Sequence, residues 1–566
     1  NKIIKNQLYK IPCSLLSNLY LKVQCVPFNN IPFNFSLVNH NPPIADLLDC
    51  IDSSERTHEL FARLIKNNTE QRGILYTSKA DIVGFKNPEE LAEKYNNMLY
   101  HRHQYARIEI FKNHFYIKEY DENVYEIIYK LKRYAESGIK NYTHSVDLWM
   151  KNSGLIIDCD EKKNALRNLF KNSKVAFIYG AAGTGKSTMI NYISSLFKDK
   201  QKIFLANTNP AVENLRRKVT AEHAEFVTIT KFLSKDVSND CDILCLDECS
   251  TISNRDMVRV LQRAQCKLLV LVGDIYQIES ILFGNWFNIA YKVMPKDSVA
   301  ELTRPHRTTV QGLIEVWNKV REITEDRLEF ITRNGLSSTL DESIFSRTEE
   351  DEIVLCLNYD GIYGINNINK FLQSNNVNPS INWGVLSYKV GDPVLFNESN
   401  RFAPLVYNNL KGKILQIEEE EDCIYFTIEV YTVLNELDVI GFDLELKESV
   451  TDETSVIRFK VGRGGDGNDD NDNVENVVPF QVAYAISIHK AQGLEYESVK
   501  VVITSEIEEM VSHNIFYTAI TRAKSKLKIY WSPETEKRIL ENMKVQFNDK
   551  DYQLFKAKYK EALLKS

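Results

Sequence analysis

Residues 174–191 read KVAFIYGAAGTGKSTMIN, and the rest of the chain is organised around them. Val175 to Tyr179 is a short apolar run that reads as a buried strand. It leads into Gly180-Ala181-Ala182-Gly183-Thr184-Gly185-Lys186-Ser187, the phosphate-cradling pattern G-x-x-x-x-G-K-[ST], with a helical run from Met189 behind it. Each residue type has a physical reason. Glycines let backbone N–H groups turn inward and approach phosphate oxygens closely. Lys186 supplies a point charge to the outer phosphates, and Ser187 offers a hydroxyl to Mg²⁺. The helix start adds the positive end of its dipole. The pattern assigns Gly180, Gly183, Thr184, Gly185, Lys186, Ser187 and Thr188 to a bound nucleotide.

Outward from this stretch, strands and helices alternate. Strands are expected at 174–180, 202–208, 225–229, 241–247, 267–273 and 298–302, with helical stretches between them. That alternation implies a mainly parallel sheet with both faces covered, and phosphate ligands at the carboxyl ends of its strands. A second such layer starts near Glu352 and resumes at Gln481, continuing through a strand at 498–505, a helix at 510–525 and a strand at 526–532. The fold class is therefore α/β. Its expected parts are an N-terminal accessory domain (1–150, mixed or helical), a first parallel-sheet domain (151–325), a second (326–382 and 480–566), and a β-rich insert (383–479). The acidic run Glu418–Asp422 and the loop Gly462–Asn473 read as solvated turns; the latter lacks the glutamate spacing of a calcium loop.

Two further strand ends carry chemistry. Ile243–Glu248 ends an apolar strand in two carboxylates: Asp247 to hold Mg²⁺ through water, Glu248 to orient and deprotonate an attacking water. Val272–Ile278 brings Gln277 to the place where a γ-phosphate would be read. Glu301–Thr308 contains Arg307, a candidate arginine finger at the domain boundary, and Arg522 in YTAITRAK is a second phosphate-facing arginine from the other domain.

A chain of 566 residues with 43% apolar and 26% charged side chains is ordinary for a multidomain globular protein. The net charge of −7 confines any polyanion site to a local groove. Ten cysteines include no C-x-x-C pair; Cys241, Cys245 and Cys249 straddle an apolar strand and read as core, which fits a reducing cytoplasm. No apolar run is long enough to span a bilayer, and the start at Asn1 rather than Met points to a processed or trimmed product. The basic run Lys130–Arg133 reads as a solvated helix face.

The ordered set GAAGTGKS, ANTNPAVENL, TITKFL, LDECS, GDIYQIESI, LTRPHRT, YAISIHKAQGLE and YTAITRAK, from about Asp158 to Trp531, resembles the superfamily 1 helicases. The form His-Lys-x-Gln-Gly resembles their RecD/Pif branch. The resemblance implies two RecA-like domains clamping ATP and Mg²⁺, an SH3-like character for the insert, and 5′→3′ movement on single-stranded or tailed DNA, with RNA left open. It implies strand contacts from Thr208, Asn209, Thr230, Tyr276, Ser487 and His489, and a ribose contact from Glu495. Residues 1–150 are a candidate surface for a protein partner. Two departures bear on function. Lys162 stands where an adenine-reading glutamine is usual, and only Ser234–Cys241 fills the gap where a duplex-splitting hairpin would sit.

Overall fold

The computed structural model describes residues 11–13, 19–21, 57–99, 101–181, 183–234, 239–277, 283–304, 308–384, 386–397, 401–402, 405–449, 451–462, 476–543 and 549–560. Arg307, the loop Gly462–Asn473 beyond Gly462, the middle of Ser234–Cys241 and most of residues 1–56 lie outside them.

The first α/β unit is built on six strands: β1 (Val175–Gly180), β2 (Lys202–Ala206), β3 (Ala224–Thr228), β4 (Asp240–Leu246), β5 (Gln265–Gly273) and β6 (Val299–Leu302). They lie in the order β6-β1-β5-β4-β2-β3, all parallel. Every residue of β1 and of β2 is buried, as a strand covered on both faces demands. Because all six run the same way, the ends of β1, β4 and β5 converge on one edge. The phosphate loop, the Asp247–Glu248 pair and Gln277 leave the sheet there.

The second unit is a five-stranded parallel sheet of Ser337–Ser338, Ala523–Tyr530, Tyr496–Val502, Glu352–Cys356 and Ala485–Ser487, in that order. The helix expected at 510–525 is shorter, His513–Ile520, and the following strand begins at Ala523. Arg522 therefore sits in the turn between them rather than on a helix.

The insert is β-rich, a six-stranded sheet with antiparallel pairing throughout, around a core containing Phe396, Phe426, Phe459 and Phe480. Its last strand is Phe480–Val482, three residues past the expected boundary, because that strand pairs with Pro393–Phe396 before the chain re-enters the second α/β sheet at Ala485. The insert is pinned to the second unit by Lys411, whose Nζ donates to Asp351 and to Glu495 O, both at 2.8 Å, and lies 3.7 Å from the Tyr496 ring centre. It also meets the first unit where Arg217 donates to Tyr431 O.

Two expected domain limits are not packing boundaries. The helix Lys118–Tyr134 buries Val124, Ile127, Ile128 and Leu131 in the same core as Val175, Phe177, Leu244 and Leu271 of the first sheet. That helix is thus continuous with the first α/β unit, whereas Phe61, Tyr95, Ile108 and Phe115 form a core of their own beside it. The closing helix Asp549–Lys558, expected within the second unit, docks on that same body instead. Leu554 and Phe555 enter its core, and Asp551 accepts hydrogen bonds from the backbone N–H groups of Leu75 (2.7 Å) and Tyr76 (3.0 Å). Asp121 receives Lys558, Tyr559 and Tyr76 together. Among the described residues no helix is long and apolar enough to cross a membrane, and Cys241, Cys245 and Cys249 are buried in the first unit.

Candidate functional site

The site forms where the two α/β units face each other. β1 delivers Gly180 to the start of the loop, where a Cβ would collide with the Thr184 hydroxyl. Gly183 (φ 76°) and Gly185 (φ 85°) adopt the left-handed conformation that favours glycine, and the helix Lys186–Leu196 starts immediately after. The loop's glycines are thus required by geometry, and they leave backbone N–H groups at a helix start. Lys186 Nζ donates to Gly180 O (2.7 Å) and Ala181 O (2.9 Å), and Thr184 Oγ1 donates to Ala181 O (2.9 Å). A cation resting on two neutral carbonyls can exchange them for phosphate oxygens, which are the stronger acceptors.

Asp247 and Glu248 follow β4. Glu248 has φ 53°, an uncommon value for a residue with a Cβ, and its N–H donates to Asp247 Oδ1 at 2.9 Å. The backbone here turns sharply enough to bring both carboxylates to the pocket. Burial raises the pKa of both. For Glu248 burial is the main cause, Asp247 adds to it, and Arg522, Lys186 and Lys218 oppose it, leaving the group at about 7. A carboxyl poised near neutrality in a pocket that also holds cations suits a general base.

Lys186, Ser187, Thr188, Asp247, Glu248 and Gln277 from the first unit, and Glu495 and Arg522 from the second, line one pocket. Arg522 is 3% exposed; its Nε donates to Thr518 O (3.0 Å) and Nη1 to Leu494 O (3.2 Å). The guanidinium is thus held by its own unit while it acts electrostatically on Glu248.

Several lining residues carried no expectation, Asn214, Lys218 and Asp274 among them. Asn214 and Lys218, on the helix Asn209–Lys218, reach the second unit: Asn214 Nδ2 donates to Gly493 O at 2.7 Å and Lys218 Nζ lies 3.9 Å from Glu495 Oε1. Asp274, after β5, is 3% exposed; its Oδ1 accepts from Tyr276 N at 3.0 Å, while Oδ2 has no hydrogen-bond partner among the described residues. A buried orphan oxygen beside a phosphate loop fits a site completed by a polar ligand. All three fall inside or beside the quoted stretches ANTNPAVENL and GDIYQIESI, so position was visible and role was not.

The expected strand contacts are less uniform. Asn209, Thr230 and His489 are exposed and Thr208 is half-buried, capping the helix Asn209–Lys218 by accepting from Ala211 N at 3.4 Å. Ser487 is buried, and its hydroxyl accepts from Lys490 N at 3.2 Å. Tyr276, expected among the strand contacts, is half-buried between the units: the Arg321 guanidinium lies 4.8 Å from its ring centre, and the rings of His513 and Tyr517 are 6.2 and 6.3 Å away. Arg321 comes from the helix Gln311–Glu322, beyond the motif that suggested the role. Lys162 is 1% exposed, its ammonium paired with Asp158 at 2.5 Å and standing where a Cβ on Gly185 would strike it. It supports the phosphate loop from behind.

Residues 159–341 match the family described as AAA domain, and residues 482–530 match the UvrD-like helicase C-terminal domain. The chain is 24% identical over 448 residues to the uncharacterized protein MJ1519 of Methanocaldococcus jannaschii, covering 65% of this chain and 37% of that one. It is 23% identical to the RecBCD enzyme subunit RecD of Buchnera aphidicola subsp. Schizaphis graminum (68% of this chain, 78% of that one). It is likewise 23% identical to the ATP-dependent DNA helicase Pif1 of Campylobacter jejuni (62% and 88%). The chain thus spans little more than a third of MJ1519 and over three quarters of these two helicase relatives. A phosphate loop, two facing parallel-sheet units and an arginine of the second in the pocket of the first accompany this likeness to RecD and Pif1 helicases, which extends over 68% and 62% of the chain.

Proposed function

We propose that the chain is an ATP-dependent DNA helicase or translocase that couples hydrolysis to 5′→3′ movement along a single strand. One observation carries this reading: Arg522 of the second unit opens onto the same pocket as Lys186, Asp247 and Glu248 of the first. A hydrolytic site split between two bodies makes turnover depend on their relative position, and so gives chemistry a mechanical output.

In this reading Lys186 neutralises the outer phosphates and the loop's N–H groups hold them. Ser187 and Asp247 would hold Mg²⁺, which would supply charge neutralisation at the phosphates; a site with so few protein ligands suits an ion that keeps its waters. Glu248 accepts the proton of the attacking water as the oxygen–phosphorus bond forms and the bridging bond to the β-phosphate breaks. Gln277 reads the γ-phosphate, and Arg522, with Arg307 from the junction, stabilises the charge of the transition state. Glu495 holds the ribose. Thr208, Asn209, Thr230, Ser487 and His489 grip phosphates of the strand without reading sequence. The test is ATP turnover with and without oligo-dT: stimulation by the strand supports the motor, and its absence removes it.

The short Ser234–Cys241 connection and the likeness to RecBCD subunits favour a second reading. In it the chain is the ATP-gated subunit of a larger assembly, engaged through residues 1–150, and does not unwind duplex alone. Strand displacement on a tailed duplex by the isolated chain separates the two; robust unwinding eliminates the second.

A further inference from the structure

One helix of the first unit has a different task at each end. At its start, Thr208 and Asn209 present the hydroxyl and amide assigned above to the strand. At its far end, Asn214 and Lys218 line the nucleotide pocket and touch the second unit. At a rise of about 1.5 Å per residue, Asn209 and Lys218 are about 13 Å apart on a rigid rod. The segment they touch is equally committed. Gly493 has φ 76°, and a Cβ there would stand 3.8 Å from Glu248 Oε1, so the backbone that accepts from Asn214 also lies against the proposed base. Gly493 and Asn214 are 279 residues apart in sequence, and their bond crosses the cleft.

We propose that Asn214 and Lys218 are coupling residues that transmit the state of the nucleotide to the strand-gripping end of their own helix. The two contacts differ in kind. The Asn214–Gly493 bond is short, neutral and direct, so it acts as the pivot. The Lys218–Glu495 pair is long at 3.9 Å, and the two side chains are 51% and 24% exposed. Such a pair is held weakly and is easily exchanged. A triphosphate entering beside it offers Lys218 a stronger anion, while its ribose offers Glu495 hydroxyls. Exchange of that pair moves the last turn of the helix relative to the second unit, and a rigid helix carries the displacement to Thr208 and Asn209. Both residues are positioning residues, and the inference rests on the motor reading above.

The test is strand affinity by fluorescence anisotropy of labelled oligo-dT on the full chain, with and without ADP–aluminium fluoride. In the wild-type chain the two Kd values should differ by at least about fivefold, the lower end of ordinary coupling. Asn214→Ala and Lys218→Gln should each bring that ratio towards one, with the nucleotide-free Kd held within about twofold. Arg216→Ala, on the same helix but paired with Glu213 at 2.6 Å, should keep the wild-type ratio. A wild-type ratio retained in both pocket variants overturns the coupling role and leaves the motor reading standing. A wild-type chain whose strand affinity ignores nucleotide, and whose turnover ignores the strand, overturns both.

Discussion

Replacing Arg522 by lysine keeps the charge and asks whether guanidinium geometry is needed. The side chain is 3% exposed, and within its own unit Nε donates to Thr518 O and Nη1 to Leu494 O while the guanidinium lines the pocket. An ammonium on a flexible stem can hold the tether or reach towards the phosphates, not both. Arginines in this role contribute about 10³–10⁵ in turnover, which at about 1.4 kcal/mol per decade is roughly 4–7 kcal/mol of transition-state stabilisation. The expected outcome is a fall in strand-stimulated kcat of about 10³, with ATP affinity changed less than about tenfold because Lys186 and the loop remain. Each lost charge-assisted hydrogen bond costs about 1.5–3 kcal/mol, so the melting temperature should drop by a few degrees without loss of cooperative unfolding. Steady-state ATPase with oligo-dT, nucleotide binding by fluorescence and thermal melting measure the three quantities. A kcat within about tenfold of wild type would show that the arginine only staples Leu494 to Thr518, and the split-site reasoning would fail.

Lys186→Ala should abolish strand-stimulated ATPase while circular dichroism stays native; turnover that persists points to another site. Glu248, pushed up to about 7 by burial, must be ionised to take a proton, so kcat/KM for ATP should climb as pH rises through about 7 and level off above it. Glu248→Gln should remove that climb and trap bound ATP, detectable by filter binding. Asp551→Ala leaves the N–H groups of Leu75 and Tyr76 unpaired. At about 1–3 kcal/mol for each orphan, hydrogen exchange in 549–560 should accelerate strongly ahead of the β1 core. With the Lys162 ammonium committed to Asp158, wild-type kcat/KM should differ between ATP and GTP by less than about tenfold. A strong ATP preference would mean that other residues read the base.

How much of this was legible in the sequence depends on the distance between partners. The six strands of the first unit appear close to their expected places because each is a continuous apolar run bounded by turns, a local signal. The phosphate loop and the Asp247–Glu248 strand end were legible for the same reason. The surroundings of Tyr276 were not legible, because a motif supplies a position but not a direction. Its ring is set by Arg321, His513 and Tyr517, which belong to other elements. Asn214 could not be assigned without knowing that Gly493 lies opposite it, and nothing local encodes a bond across 279 residues. The docking of Asp549–Lys558 was hidden likewise. Leu554 and Phe555 mark an apolar face, and only the folded chain says which body receives it.

That docking changes what kind of machine the chain can be. The second unit and its insert leave the first body after Leu302 and are returned to it by Asp549–Lys558, so they form a closed loop anchored at both ends. A lobe hung from a single strap can swivel in any direction, whereas one hung from two is confined to rocking about the line that joins its attachment points. On the motor reading, two anchors restrict the stroke more than one would, like a door rather than a flail, and cutting the distal anchor should loosen the stroke before it stops the chemistry.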